Sequence, residues 1–192
     1  MSTDSEIIAR SRDDPAAFGV LFDRHAASIH RYVARRTNTS VADDVMAETF
    51  LIAFERRASF NTEYTNAGPW LFGIATNLLR HHHRQEVRTL RALSRVAQQD
   101  PEPPARADDS ADTRLDAVTA LREVREALRR MPRTQRDTVL LHAWAELSYD
   151  EIASAMDVPI GTVRSRLNRA RRVLRSSTSP STLHLLTGDS HG

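Results

Sequence analysis

The 192-residue sequence predicts an all-α protein of two small helical domains. These are an N-terminal helical bundle and a C-terminal helix-turn-helix domain, joined by a flexible acidic linker. Three observations carry this reading. Apolar residues recur at helical spacing through residues 4–96 and again from Leu115, with no strand-like alternation. The stretch between them, "QQDPEPPARADDSADTR", holds three prolines and five acids and is too polar to bury a core. A capping box and a tight turn then divide the C-terminal part into two short consecutive helices. The expected boundaries are 1–95 for the first domain, 96–114 for the linker, 115–176 for the second domain and 177–192 for a disordered polar tail.

The first strong helix signal is "DDPAAFGVLFDRHAASIHRYVARR". Asp14 is placed to cap it and Pro15 occupies the first helical position, where its missing N–H does no harm. Phe18, Leu21, Phe22, Ile29, Tyr32 and Val33 recur at helical spacing. "SVADDVMAETFLIAFERRASF" is a second helix and "NTEYTNAGP" a loop. In the second helix Asp43, Asp44 and Glu48 concentrate negative charge, and Asp44, Glu48 and Glu55 share a face with Leu51 between them. Such a run is ordinarily a solvated face. Its sharper meanings are a docking surface for a basic partner or, with a metal, carboxylate chemistry, but no other residues here complete a catalytic constellation.

The third helix, "WLFGIATNLLRHHHRQEVRTLRALSRVA", separates cleanly when successive residues are placed 100° apart. Leu71, Phe72, Ala75, Leu78 and Leu79 span one apolar face. Trp70, Asn77, His81, Arg84 and Arg88 fall in a narrow strip on the other side, with Arg80 at its edge. A basic strip with an aromatic at one end suits base stacking and phosphate contact. The three consecutive histidines point in different directions, so they cannot converge on one metal. His81 joins the strip, where protonation would add charge toward phosphate; His82 and His83 read as polar helix filler.

Helical pattern resumes at Leu115 with Val118, Leu121, Val124 and Leu128, then breaks at Met131-Pro132. "LSYDEIASAMDVPIGTVRSRLNRARRVLR" is the most informative segment. Ser148 and Glu151 form a capping box opening a short helix that turns Ile152, Ala153 and Met156 inward, and "DVPIGT" turns into a second helix. On that helix Val163, Leu167, Ala170 and Leu174 make an apolar stripe. Ser165, Asn168, Arg169 and Arg172 lie opposite, with Arg164 and Arg166 on the flanks. A recognition helix needs such an anchored back and hydrogen-bonding front.

Composition narrows the function classes. There are no cysteines, which excludes disulfides, thiolate chemistry and Cys-ligated zinc. No signal core and no apolar run of membrane-spanning length is present, so a cytoplasmic protein without membrane insertion is expected. All 27 basic residues are arginine, against 25 acids. Arginine's planar fork suits phosphates and guanine edges, although a GC-rich coding sequence gives the same bias. The charges are segregated: residues 80–95 carry five arginines and three histidines against one acid, residues 100–116 six acids against two arginines, and residues 161–175 six arginines and no acid. Two basic segments around an acidic one suggest two contacts on one polyanion.

"DDVMAETFLIAF", "PWLFGIATNLL" and "LSYDEIASAMDVPIGTVRSRLNRARRVL" together resemble, in order and spacing, the motifs of the extracytoplasmic-function sigma factors of bacterial RNA polymerase. The resemblance spans about residues 15–90 and 115–175. It implies a region 2-like first domain that binds the clamp of core RNA polymerase and opens the −10 element, and a region 4-like second domain that reads the −35 element and packs on the flap. Asp43, Asp44 and Glu48 match the clamp-facing acids. Asn61 and Tyr64 lie in the loop matching the one that captures a flipped base. Trp70, Asn77, Arg80, His81, Arg84 and Arg88 fall on the strand-opening helix. Thr162, Arg164, Ser165, Arg166, Asn168, Arg169 and Arg172 occupy the −35-reading positions. One residue departs from the pattern: members often carry Arg or Lys after "WLF", where this chain has Gly73.

The resemblance implies promoter DNA, duplex and single-stranded, and core polymerase as partners, with no cofactor, no metal and no enzymatic activity. Family members are commonly held by an anti-sigma factor, a candidate partner that nothing in the chain identifies. The linker is expected to thread a basic polymerase channel, and "STLHLLTG" in the tail to dock as a short apolar segment. The competing readings are a stand-alone helix-turn-helix regulator and a metal-dependent nuclease built on Asp43, Asp44 and Glu48.

Overall fold

A computed structural model of the chain describes residues 2–96 and 115–177, so nearly all of the expected linker and tail lie outside the described residues. The described residues form eight α-helices and two 3-10 turns, with no strand.

Helix α1 (Asp4–Arg10) opens on a capping box in which Thr3 and Glu6 exchange side-chain and backbone bonds. It precedes the first helix read from the periodicity. That helix itself begins as a 3-10 turn, Pro15–Phe18, with Asp14 accepting from the Ala16 N–H at 3.2 Å, and becomes α2 (Gly19–Ala34). Of its periodic apolar residues, Phe18, Leu21, Ile29, Tyr32 and Val33 are buried, whereas Phe22 stays 42% exposed and meets Phe50 edge-on. Asn38 caps α3 (Thr39–Glu55), and a 3-10 turn, Arg57–Ser59, leads to the loop before α4 (Gly68–Val96).

The C-terminal group comprises α5 (Leu115–Arg130), α6 (Arg133–Trp144), α7 (Tyr149–Met156) and α8 (Ile160–Ser177). Pro132 separates α5 from α6, as the Met131-Pro132 break predicts. Ser148 and Glu151 form the expected capping box. The turn into α8 takes its left-handed residue from Asp157, at φ 50°, and not from its glycine. Gly161 already belongs to the first turn of α8, where a Cβ would meet open space.

The two groups do not stand apart. One apolar cluster runs from Ile7, Leu21 and Leu71 to Leu141, Ile152 and Val163, and α4 lies against α7. Gly73 makes that approach feasible: a Cβ there would lie 2.4 Å from the Ala155 carbonyl oxygen, a backbone atom that cannot swing away. The departure at this position therefore has a packing reason that the sequence alone does not reveal. A polar chain crosses the same junction. Thr76 and Tyr32 share a hydrogen bond at 3.0 Å, Arg36 donates to the Tyr32 hydroxyl at 2.6 Å and to Asp137 Oδ1, and Arg80 Nε donates to Asp137 Oδ2 at 2.7 Å. Burial raises the Tyr32 pKa, which keeps the phenol a neutral link in this chain. Arg35 completes the junction by lying over the Trp144 ring at 5.5 Å.

Candidate nucleic-acid interface

Helix α8 turns Val163, Leu167 and Ala170 into the core, which leaves Arg164, Ser165, Asn168, Arg169 and Arg172 exposed on the opposite side. Arg169 folds back along the helix, with Nε 3.2 Å from the Ser165 carbonyl and Nη2 3.1 Å from its hydroxyl. Thr162 is half-buried at the helix start and accepts from the Ser165 hydroxyl. Arg171 donates to the Tyr149 hydroxyl at 2.8 Å, tying α8 to α7. Arg166 differs from its neighbours. It is half-buried, 4.0 Å from the Met156 sulfur, and its pKa is lowered by burial first and then by Arg80 and Arg169.

The expected strip on α4 is present, and its residues divide. Asn77, His81, Arg84 and Arg88 are exposed in line. Arg80, at the edge of the strip, instead turns to Asp137 and bonds Asn77 Oδ1 through Nη1 at 3.3 Å. His82 and His83 lean toward Glu86, at 3.6 and 3.8 Å. Among the described residues, no group of three or more His, Cys, Asp or Glu side chains converges in a metal-ligating arrangement.

At the head of α4, Trp70 packs against Phe60 with ring centroids 5.1 Å apart. With Tyr64, 52% exposed, and Pro69 they line an apolar cleft of about 630 Å³ whose far wall comes from α7 and the turn into α8. Asn61 is exposed and closes its own loop by accepting from the Glu63 N–H at 3.0 Å.

The loop is held from below by Asp4, a residue that sequence reasoning missed. Asp4 accepts from the Ala67 N–H at 2.9 Å and Arg24 Nη1 at 2.8 Å, and meets His25 Nε2 at 2.7 Å; its own N–H donates to the Thr65 carbonyl. Burial alone would raise the Asp4 pKa, but the Ala67 N–H, Arg24 and His25 together hold it below the ordinary aspartate value. Asp137, Arg36 and Arg35 were missed too, because their partners lie on distant segments. On α3, Asp43, Asp44 and Glu48 are exposed with Leu51, which is 57% accessible; Asp43 also meets His30 at 3.1 Å.

Comparison with known proteins meets this geometry at both ends. The family model for Sigma-70 region 2 matches residues 21–89, and the model for Sigma-70, region 4 matches residues 121–174. The chain belongs to the extracytoplasmic-function sigma factors of the sigma-70 family. As a sigma factor it directs promoter-specific transcription. It is 27% identical over 186 residues to the ECF RNA polymerase sigma-E factor of Haemophilus influenzae, covering 93% of this chain and 96% of that one. To the sigma-E factor of Escherichia coli K12 it is 29% identical over 199 residues, covering 93% and 95%. Its fold resembles that of CnrH solved with the cytosolic domain of CnrY, with TM-score 0.62 and 24% identity over 97% of this chain and 99% of that one. It also resembles the sigma factor RpoE solved with the anti-sigma factor NepR from Bartonella quintana, with TM-score 0.59 and 22% identity over 83% and 94%.

Proposed function

We propose that this sigma factor divides promoter work among three exposed surfaces. The observation that carries the reading is the face of α8, where guanidinium and amide side chains project opposite a buried apolar stripe in the segment matched to region 4. There Arg164, Ser165, Asn168, Arg169 and Arg172 read and grip the −35 duplex, arginine toward guanine and asparagine toward adenine. Asn77, His81, Arg84 and Arg88 hold the opened −10 strand. Tyr64 and the half-buried Trp70, backed by the buried Phe60, offer a stacking surface for an extruded base, with Asn61 at its rim. Asp43, Asp44 and Glu48 around Leu51 dock on the polymerase clamp, an acidic face with one apolar anchor.

Arg80 belongs to the DNA-contacting set only when α4 parts from the C-terminal helices, because Asp137 engages it across the junction, whereas Arg166 lies against Met156 of its own helix-turn-helix unit. The chain carries no reaction of its own: phosphate contacts position it and base contacts specify the site. It acts in the cytoplasm, beside the polymerase and promoter DNA it serves. RpoE of Bartonella quintana was solved with the anti-sigma factor NepR, which supports an anti-sigma partner for this chain as well.

Transcription with core polymerase on genomic DNA, with 5′ ends mapped, tests the reading. The expected starts share two upstream elements at constant spacing. Tight operator binding by the isolated chain, with unchanged polymerase starts, would instead favour the stand-alone regulator.

A further inference from the structure

Below the α4–α7 contact, a second cleft of about 300 Å³ lies between the two helical groups. One wall carries Arg35 and Arg36 from the end of α2 and Arg80 from α4. The other carries Arg125 and Arg129 from α5 and Arg133 and Arg136 from α6. Two carboxylates, Asp137 and Glu86, line the cleft with them, Asp137 is already shared by Arg36 and Arg80, and Glu126 lies 4.0 Å from Arg129, so the arginines still outnumber the acids. Like charges at this density repel unless an anion lies among them. Burial lowers the Arg136 pKa, and Arg36 and Arg133 add to the effect against Asp137.

Arg80 makes the demand specific. Its Nε and Nη1 have partners, but Nη2 is buried and has no hydrogen-bond partner among the described residues. A charged donor buried in this way calls for an acceptor. Guanidinium forks on two facing walls match the tetrahedral, multiply charged oxygens of linked phosphates. The volume suits a few phosphates, while a duplex would touch only the rim.

We propose that this interdomain arginine cleft binds a compact polyphosphate anion, which bridges the two helical groups. The site needs both walls, so occupancy and closure of the junction go together. It shares only Arg80 with the promoter contacts assigned above, and that residue joins them only when the junction opens.

The test is calorimetric titration of the full-length chain with inorganic tripolyphosphate at about 0.15 M salt, where distant surface charges are screened. One-to-one binding is expected. Arg133→Gln with Arg136→Gln should weaken it at least tenfold, while Arg10→Gln with Arg56→Gln, which remove the same charge elsewhere, should not. Gly73→Arg should also weaken it about tenfold although it adds a positive charge, because the new side chain forces the walls apart. Thermal melts of each variant separate loss of the site from loss of the fold. Equal weakening by both double variants, undiminished binding by Gly73→Arg, stoichiometry above one, or no binding would each overturn the proposal. So would tighter binding of a short single-stranded oligonucleotide to the same residues, which would make the cleft a nucleic-acid contact.

Discussion

Helices α4 and α8 carry similar chemistry and use it differently. Both bury an apolar stripe and load the remaining face with arginines, and both fall in segments matched to DNA-handling regions of the family. On α8 that face is open along Arg164, Ser165, Asn168, Arg169 and Arg172, with Arg166 alone turned inward. On α4 the strip is open beyond Asn77, but the arginine nearest the junction, Arg80, is committed to Asp137. Residue type and helical phase are alike in the two helices. Distance from the junction decides which arginines are free to meet phosphate.

The largest effect is expected from removing the residue that makes the difference. Asp137→Ala leaves Arg36 and Arg80 facing each other without a counter-charge. As Asp137 is 2% exposed, a loss of about 3–5 kcal/mol is expected for breaking a buried charge network. Urea denaturation measures it, and a loss under about 1 kcal/mol would show that water replaces Asp137 at little cost.

The two open faces should then respond differently to truncation. Asn168→Ala should cost about 1–3 kcal/mol of discrimination at a single −35 position. Arg84→Ala should weaken DNA binding without altering sequence preference, and flatten the dependence of log K on log salt by about one unit. Competition binding over a set of single-base promoter variants separates these outcomes.

The loop before α4 provides a pH-dependent prediction. Asp4 has a folded-state pKa below its unfolded value near 3.8, so its contribution is complete above that value and is lost as pH falls through the lower folded one. Asp4→Asn should remove that acid-limb dependence and speed hydrogen exchange at Ala67, whose N–H the carboxylate holds. Unchanged exchange at Ala67 would mean that the loop is held by other contacts.

The smallest effect belongs to α8 itself. Gly161→Ala introduces a Cβ into open space within a helix and should stabilise the chain by up to about 1 kcal/mol, read as a rise in Tm.

The helices of both groups were legible because the apolar residues repeat at the helical period and the Ser148–Glu151 box announces its own cap. The open faces of α4 and α8 follow from the same geometry. What the sequence hides is the junction. Nothing local to "VARRTN" or "TQRDTV" says that Arg36 and Asp137 meet, since 101 positions separate them. Gly73 reads locally as a costly helix residue, and only the backbone of Ala155 explains it. The capping role of Asp157 was equally hidden, because a glycine four positions later offers the more obvious turn residue.

The most direct test of the central claim, that the junction withholds Arg80 from DNA, is the salt dependence of promoter-DNA binding by the isolated chain and by Gly73→Gln. The neutral side chain cannot fit against Ala155 and adds no charge. If opening frees Arg80, the slope of log K against log salt should steepen by about 0.9 for the one added phosphate contact. An unchanged slope, with the junction shown open by small-angle scattering, would contradict the claim.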